Sequence, residues 1–250
     1  MTLWVKAQIT QIQLWKKNLL YISLKASIDK FIAGQFSKIR IENPYTNTKI
    51  QRAYSFVNPP TSNKIEFFIT LIKKGQMSQK LLQLKKKQNI LISKKSYGFF
   101  TLKEILPSKI LWMFSTGTAI GPYLSILQEK KDTKKFEKII LVHSVRYFSD
   151  LKYLHFIQNI KKIYQKKLIV IITISRERKK NFYYGRIQKL LLNNTLEKNI
   201  SINMNKENSN IMLCGNPNMV EDLFKILVKK KNMTKNLRKK PGNITRENYW

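Results

Sequence analysis

The sequence holds a single cysteine, Cys214, and two histidines, His143 and His155. One cysteine excludes an internal disulfide and a cysteine-rich zinc site. Two histidines leave no multi-histidine metal centre, so no metal is expected. Nowhere do about 18 apolar residues run together, so no segment is long enough to cross a bilayer as a helix. The longest apolar run, Leu168–Ile174, is strand-sized. The opening MTLWVKAQIT lacks the basic region and long apolar core of a secretion signal, which sets the expectation of a cytoplasmic protein. Acidic residues are also scarce, with 14 Asp+Glu against 48 Lys+Arg and a formal net charge of +34.

What is present belongs to a folded chain: 250 residues, 43% hydrophobic and 11% aromatic, enough to bury one large core or two small ones. Such a charge first suggests nucleic acid, because a basic surface releases counterions when it neutralises phosphates. The lysines, however, are spread along the whole chain, with no single arm or stripe. Lys, Asn and Ile are enriched together, as AT-rich coding would produce. Most lysines are therefore expected to be solvated surface. An acidic partner would still be steered towards them at low salt.

Two rhythms divide the chain. In the first hundred residues short strands alternate: Leu20, Ile22 and Leu24; Ile39 and Ile41; Ile65, Phe67, Ile69 and Leu71. Turn signals at Asn43-Pro44, Asn58-Pro59-Pro60 and Gly75 separate them. A short helix is expected over 78–84. This pattern predicts a small antiparallel barrel. After Leu106-Pro107, apolar runs at 110–115, 139–143, 168–174 and 211–214 alternate with helical segments at 123–130, from about 150, and at 219–229. Leu151, Leu154, Ile157 and Ile160 fall three apart. Near-continuous apolar strands between helices predict a parallel sheet covered on both faces, with ligands beyond the carboxyl ends of its strands. The lysine-rich stretch 229–240 reads as a loop or weak helix. The domains are expected at 1–103 and 104–250.

Several motifs fall where chemistry would. Arg52-Ala53-Tyr54-Ser55 ends a barrel strand: the arginine fork can clamp a pyrophosphate, the tyrosine can stack on an isoalloxazine, and the serine hydroxyl can sit by its reactive edge. Gly75-Gln76-Met77-Ser78 opens the short helix, offering backbone N–H groups to a phosphate with Ser78 as cap. Ser115-Thr116-Gly117-Thr118-Ala119-Ile120-Gly121-Pro122 follows the first parallel strand and lets a dinucleotide approach the backbone. Ser175-Arg176 and Arg186, with Val145-Arg146, suit a 2′-phosphate. Cys214-Gly215-Asn216-Pro217 lies where a nicotinamide could rest, and Asp222 can cap a helix or bind a hydroxyl. Read singly, each also has an ordinary structural explanation, such as a plain capped helix or a small-residue turn. His143 and His155 are assigned to structure.

In order and spacing, RAYS, GQMS, STGTAIGPYLS, SRE, CGNP and a terminal Tyr249-Trp250 resemble the ferredoxin/flavodoxin–NADP reductase family, in its bacterial form with an aromatic C-terminal tail. The resemblance covers essentially the whole chain. It implies a two-domain β and α/β protein: an antiparallel FAD-binding β-barrel, then a parallel-sheet NADP-binding α/β domain whose tail returns to the FAD. By that resemblance, FAD is bound non-covalently by Arg52, Ala53, Tyr54, Ser55, Phe68, Gln76, Met77, Ser78, Thr118, Tyr249 and Trp250. NADP would be bound by Val145, Arg146, Ser175, Arg176, Arg186, Asn216, Pro217, Asn218 and Asp222. Phe68 stands where a tyrosine is expected, and Gln76 where a lysine would be unsurprising.

The activity so implied passes a hydride from NADPH to flavin N5, then single electrons to ferredoxin or flavodoxin, acidic carriers. Ser55 would tune the N5 region and Cys214 would position the nicotinamide. Orientation and flavin electronics carry most of such chemistry. Two alternatives remain open at this point: a flavin or small-acceptor reductase on the same fold, and a basic nucleic-acid-binding protein. The expected state is a monomer with neither membrane nor nucleic acid as partner.

Overall fold

The computed structural model describes residues 2–43 and 48–249. Pro44 of the expected Asn43-Pro44 turn and the terminal Trp250 lie outside the described residues. The chain divides into two compact units, Met1–Thr101 with Gly121–Glu129, and Leu102–Ile120 with Lys130–Trp250.

The first unit is built on β1 (Trp4–Lys16), β2 (Leu19–Lys25), β3 (Phe36–Asn43), β4 (Thr48–Ser55), β5 (Ile65–Thr70) and β6 (Asn89–Ser93). These form one antiparallel sheet in the order β4-β3-β6-β1-β2-β5. Its two ends are tied just beyond β4, where Val57 N donates to Glu66 O at 2.9 Å and the Asn58 side chain accepts from Glu66 N at 2.8 Å. The sheet is thereby barrel-like, around Ile9, Ile22, Ile39, Phe56, Phe67 and Ile92. The long β1 has no counterpart in the sequence reading. Its register shifts between Ile9 and Gln11 and again between Leu14 and Lys16, which breaks the period-two alternation.

Helix α1 runs Gln76–Gln83, two residues earlier in its start than expected, with Gly75 at the cap position and no side-chain cap. Ser78 is not the cap. Its hydroxyl accepts from Ile72 N at 2.8 Å and so holds the turn that precedes the helix. Helix α2 (Gly121–Glu129) also departs from expectation, because it groups with the antiparallel unit although it follows a strand of the other. Ser125 donates to Asn58 O at 2.7 Å and Gln128 to Val57 O at 2.8 Å. Residues 121–127 are all buried, which suits an apolar segment with no polar face.

The second unit is a parallel sheet of β7 (Ile110–Thr116), β8 (Lys138–Val145), β9 (Leu168–Ile174), β10 (Tyr183–Tyr184), β11 (Ser209–Gly215) and β12 (Ile244–Asn248), in the order β10-β9-β8-β7-β11-β12. Helices α3 (Leu154–Tyr164), α4 (Ile187–Leu192), α5 (Thr195–Ile200) and α6 (Pro217–Lys231) accompany it. The expected helix from residue 150 begins only at Leu154, because Asp150 accepts from Tyr147 N at 3.0 Å and closes a separate 3-10 turn over Phe148–Asp150. The lysine-rich stretch completes α6 as far as Lys231, where three lysines suit the negative end of the helix dipole. Its remainder leads to β12, a mostly polar strand whose pairing with β11 the residues themselves do not signal.

One polar chain threads this apolar sheet. Ser115 Oγ lies 2.7 Å from His143 Nδ1, and His143 Nε2 lies 2.9 Å from Tyr153 Oη. Tyr153 in turn donates to Gly117 O at 3.0 Å. Burial holds the His143 imidazole down at about 3, against a backbone hydrogen bond that favours its charge. His143 is thus neutral in the fold, as a structural histidine should be.

Because the folded value lies below the ordinary 6.5, the unfolded chain takes up the proton first as pH falls. The stability tied to neutral His143 is therefore full above about pH 6.5 and is lost as pH drops towards 3. The urea midpoint is expected to fall between about pH 7 and about pH 5, and to fall less in His143→Asn. An equal fall in both proteins would contradict this. A second expectation concerns Glu197, which is 4% exposed, accepts from Met204 N at 2.6 Å and pairs with Lys231 at 2.9 Å. Glu197→Ala strands both donors and should cost about 3 kcal/mol in urea denaturation. A loss below about 1 kcal/mol would mean the pair contributes no more than a surface ion pair.

Candidate functional site

In the first unit, the RAYS segment occupies the last half of β4. Arg52 and Ala53 are exposed, Tyr54 is half-buried and Ser55 is buried. The Arg52 guanidinium donates to Gln51 O at 2.7 Å, leaving other N–H donors facing solvent. Tyr54 packs its ring 6.2 Å from Phe67, and burial pushes its phenol up to about 12, with Arg52 opposing. It therefore presents a neutral aromatic face. Helix α1 packs beside β4, which brings Gln76, Met77 and Ser78 to the neighbourhood of the RAYS strand. With no side chain capping α1, the first N–H groups of the helix have no intrahelical acceptor. Aromatic face, arginine fork and open helix start together suit a flavin with its phosphates.

Phe68 stands apart from this group. Alternation along β5 turns Phe67 to the Tyr54 side, while Phe68 pairs with Tyr21 of β2 and lies 5.2 Å from Trp15. Trp15 and Tyr21 are stacked at 5.1 Å, and the Tyr21 hydroxyl bonds Glu66. Thr118, expected among the same contacts, lies in the second unit and is buried.

The second unit gathers most of its expected residues along one edge. Main-chain pairing continues past the ends of β8 and β9: Ser175 N donates to Val145 O and Arg176 N to Arg146 O, both at 3.0 Å. Gly185 N donates to Ile174 O at 3.0 Å, which delivers Arg186 to the same place. Arg146, Arg176 and Arg186 are all exposed, and the Arg176 guanidinium lies 5.9 Å from the Tyr147 ring centre. The next strand ends at Thr116 and the one beyond it at Gly215, since β7 lies between β8 and β11. Tyr249 N donates to Gly215 O at 2.9 Å, so the half-buried Tyr249 completes the row.

The strand order reverses between β7 and β11, the position at which open α/β sheets receive ligands. There Thr116 Oγ1 accepts from Asn216 N at 2.9 Å. A Cβ on residue 215 would lie 2.1 Å from that hydroxyl oxygen, and the backbone has φ 145°. Only glycine fits. Neither the Thr116 bridge nor this requirement was legible beforehand, although a glycine ending an apolar strand is a signal of close backbone approach.

Other expected residues have structural duties as well. The Asn216 side chain caps α6, accepting from Asn218 N at 3.1 Å and Met219 N at 3.3 Å, with Pro217 in the first turn. Asp222 is exposed and accepts from Gln188 at 3.2 Å. Cys214 is fully buried, and burial followed by the Glu247 charge pushes its thiol well above the usual range. The thiol is not a nucleophile there. Among the described residues no group of His, Cys, Asp or Glu could hold a metal ion.

Comparison with known proteins places a family on each part of the chain. Residues 9–100 match the oxidoreductase FAD-binding domain family, and residues 113–225 the oxidoreductase NAD-binding domain family. The chain is 51% identical over 251 residues to a flavodoxin/ferredoxin–NADP reductase of Buchnera aphidicola subsp. Baizongia pistaciae, covering 100% of both. It is 42% identical over 247 residues to one of Escherichia coli, covering 99% of both. A ferredoxin NADP+ reductase from Neisseria gonorrhoeae, solved with bound FAD and NADP, superposes with a TM-score of 0.90 at 28% identity, covering 98% of each chain. With an antiparallel barrel-like unit, a parallel-sheet unit and full-length identity of this order, the chain belongs to the flavodoxin/ferredoxin–NADP reductase family.

Proposed function

We propose that this protein is an FAD-dependent oxidoreductase that carries electrons between NADPH and ferredoxin or flavodoxin. The observation that carries the reading is family membership over the full chain at 42–51% identity. FAD, when bound, accepts a hydride from NADPH at N5 and gives up electrons singly to a carrier. In the first unit, Tyr54 would supply the stacking face and Arg52 a pyrophosphate clamp. The N–H groups at Gln76, Met77 and Ser78 would add donors for phosphate oxygens. The buried Ser55 hydroxyl would orient the reactive edge, and Ala53 leaves room beside it.

In the second unit, the Thr116–Gly215 approach would let a dinucleotide lie against the backbone at the strand reversal. Asn216, Pro217, Asn218 and Asp222 flank that point, and Cys214 would support the nicotinamide from beneath as a neutral thiol. Arg176 and Arg186, with Ser175, Val145 and Arg146 behind them, would read the 2′-phosphate. Hydride transfer needs no strong acid or base from the chain's own groups. They orient the reactants and exclude water. The reading further has the protein acting as a cytoplasmic monomer. Among the described residues no helix is long and apolar enough to cross a membrane.

Steady-state reduction of a purified ferredoxin and a purified flavodoxin, beside free flavin, tests the partner assignment. Both carriers should be reduced faster than free flavin, with rates that fall as salt rises. Reduction of free flavin alone would make the protein a small-acceptor reductase. Arg176→Ala or Arg186→Ala should raise KM for NADPH about tenfold or more while leaving KM for NADH within about twofold. Equal losses for both coenzymes would remove the 2′-phosphate role.

A further inference from the structure

The buried polar chain of the second unit meets the turn after β7 through the Tyr153 hydroxyl. Tyr153 donates to Gly117 O, so its oxygen can receive the Nε2–H of His143. On the other side of the ring, Nδ1 lies 2.7 Å from Ser115 Oγ. Every link is buried: Ser115 and His143 are 0% exposed and Tyr153 1%. The chain ends on a main-chain carbonyl of the turn that follows β7. Gly117 has φ 55°, and a Cβ there would meet nothing within 4 Å, so this turn is open on its outer side and tied on its inner side. Thr116, the residue before it, is tied to Asn216 N in turn. The turn is thus pinned from two directions.

We propose that Tyr153 is a positioning residue for the coenzyme: through its hydroxyl it holds the Gly117 carbonyl, and with it the turn that meets the dinucleotide at the strand reversal. This rests on the reading that NADPH binds at that edge. His143 acts as a fixed relay, a neutral imidazole held between Ser115 on one side and Tyr153 on the other. The T-shaped contact between the His143 and Tyr153 rings, 5.5 Å between centres, would survive loss of the hydroxyl. Tyr153→Phe therefore removes the link to Gly117 while keeping the packing.

The test uses the FAD-loaded protein. In Tyr153→Phe, KM for NADPH and Kd for NADP+ should both rise about fivefold, with kcat within about twofold. Histidine NMR should show the His143 ring signals of the parent protein unchanged between about pH 8 and about pH 5, and shifted or exchange-broadened in the variant. Ser115→Ala, which cuts the relay at its other end and adds no bulk, should weaken NADP+ in the same direction by about twofold. It serves if Tyr153→Phe does not fold. Unchanged NADP+ binding in a folded variant with an altered His143 signal overturns the proposal. If Arg176→Ala also leaves NADPH binding untouched, the placement of the coenzyme at this edge fails, and the proposal fails with it. If Arg176→Ala weakens NADPH and Tyr153→Phe does not, only the positioning role is lost.

Discussion

At the carboxyl end of the parallel sheet, the Thr116 hydroxyl stands where a side chain on residue 215 would begin. That approach draws the ends of β7 and β11 together through the Asn216 N–H and leaves backbone, not side chains, lining the strand reversal. The rest of the edge is ordered around it. Main-chain pairs beyond β8 and β9 set Arg146 beside Arg176 on one flank, and Tyr249 is bonded to Gly215 on the other. The buried Ser115–His143–Tyr153 chain fixes the turn from below. A dinucleotide needs close backbone approach in the middle and charge at one end, and this edge supplies both.

Apolar periodicity made the parallel strands legible because each is buried on both faces and reads as a near-continuous run. β9, Leu168–Ile174, has the bounds its residues suggest. β1 was not legible: its bulges interrupt the alternation. Nor was β12, whose Ile244–Asn248 carries one buried apolar residue and depends on its partner. The grouping of α2 with the barrel-like unit rests on Ser125 and Gln128 reaching carbonyls some seventy residues earlier in the chain, which no local pattern encodes. At the sites, Arg52, Tyr54, Arg176 and Asn216 were singled out by the order and spacing of the motifs together, since each motif alone has an ordinary structural explanation. What those side chains already do was hidden. Ser78 was read as a cap yet braces the preceding turn, and the packing of Phe68 with Trp15 and Tyr21 follows from strand pairing that no local pattern encodes.

The uneven charge has a structural side. Among the few acidic residues, Asp150, Glu177 and Glu197 each accept from a main-chain N–H, and Glu66 binds the Tyr21 hydroxyl. Glu221 pairs with Arg246 at 2.8 Å. These five acids are thus committed to holding loops and helix ends, and the lysines largely face water. Aromatic rings take up part of the cationic load: Arg40 over Trp4, Arg178 over Tyr184 and Arg246 over Phe224, at 4.2–4.4 Å from the ring centres. A surface of this kind favours fast, salt-sensitive encounter with an acidic protein, which is what an electron carrier of opposite charge would exploit.

On the proposed function, this chain binds FAD and reduces it with NADPH. An anaerobic titration of the purified, FAD-reconstituted protein tests it most directly, following the flavin absorbance as coenzyme is added. The expected result is a yellow protein whose absorbance bleaches with about one equivalent of NADPH, since one hydride carries both electrons. A protein that stays colourless after reconstitution, or a bound flavin that NADPH leaves oxidised, would contradict it.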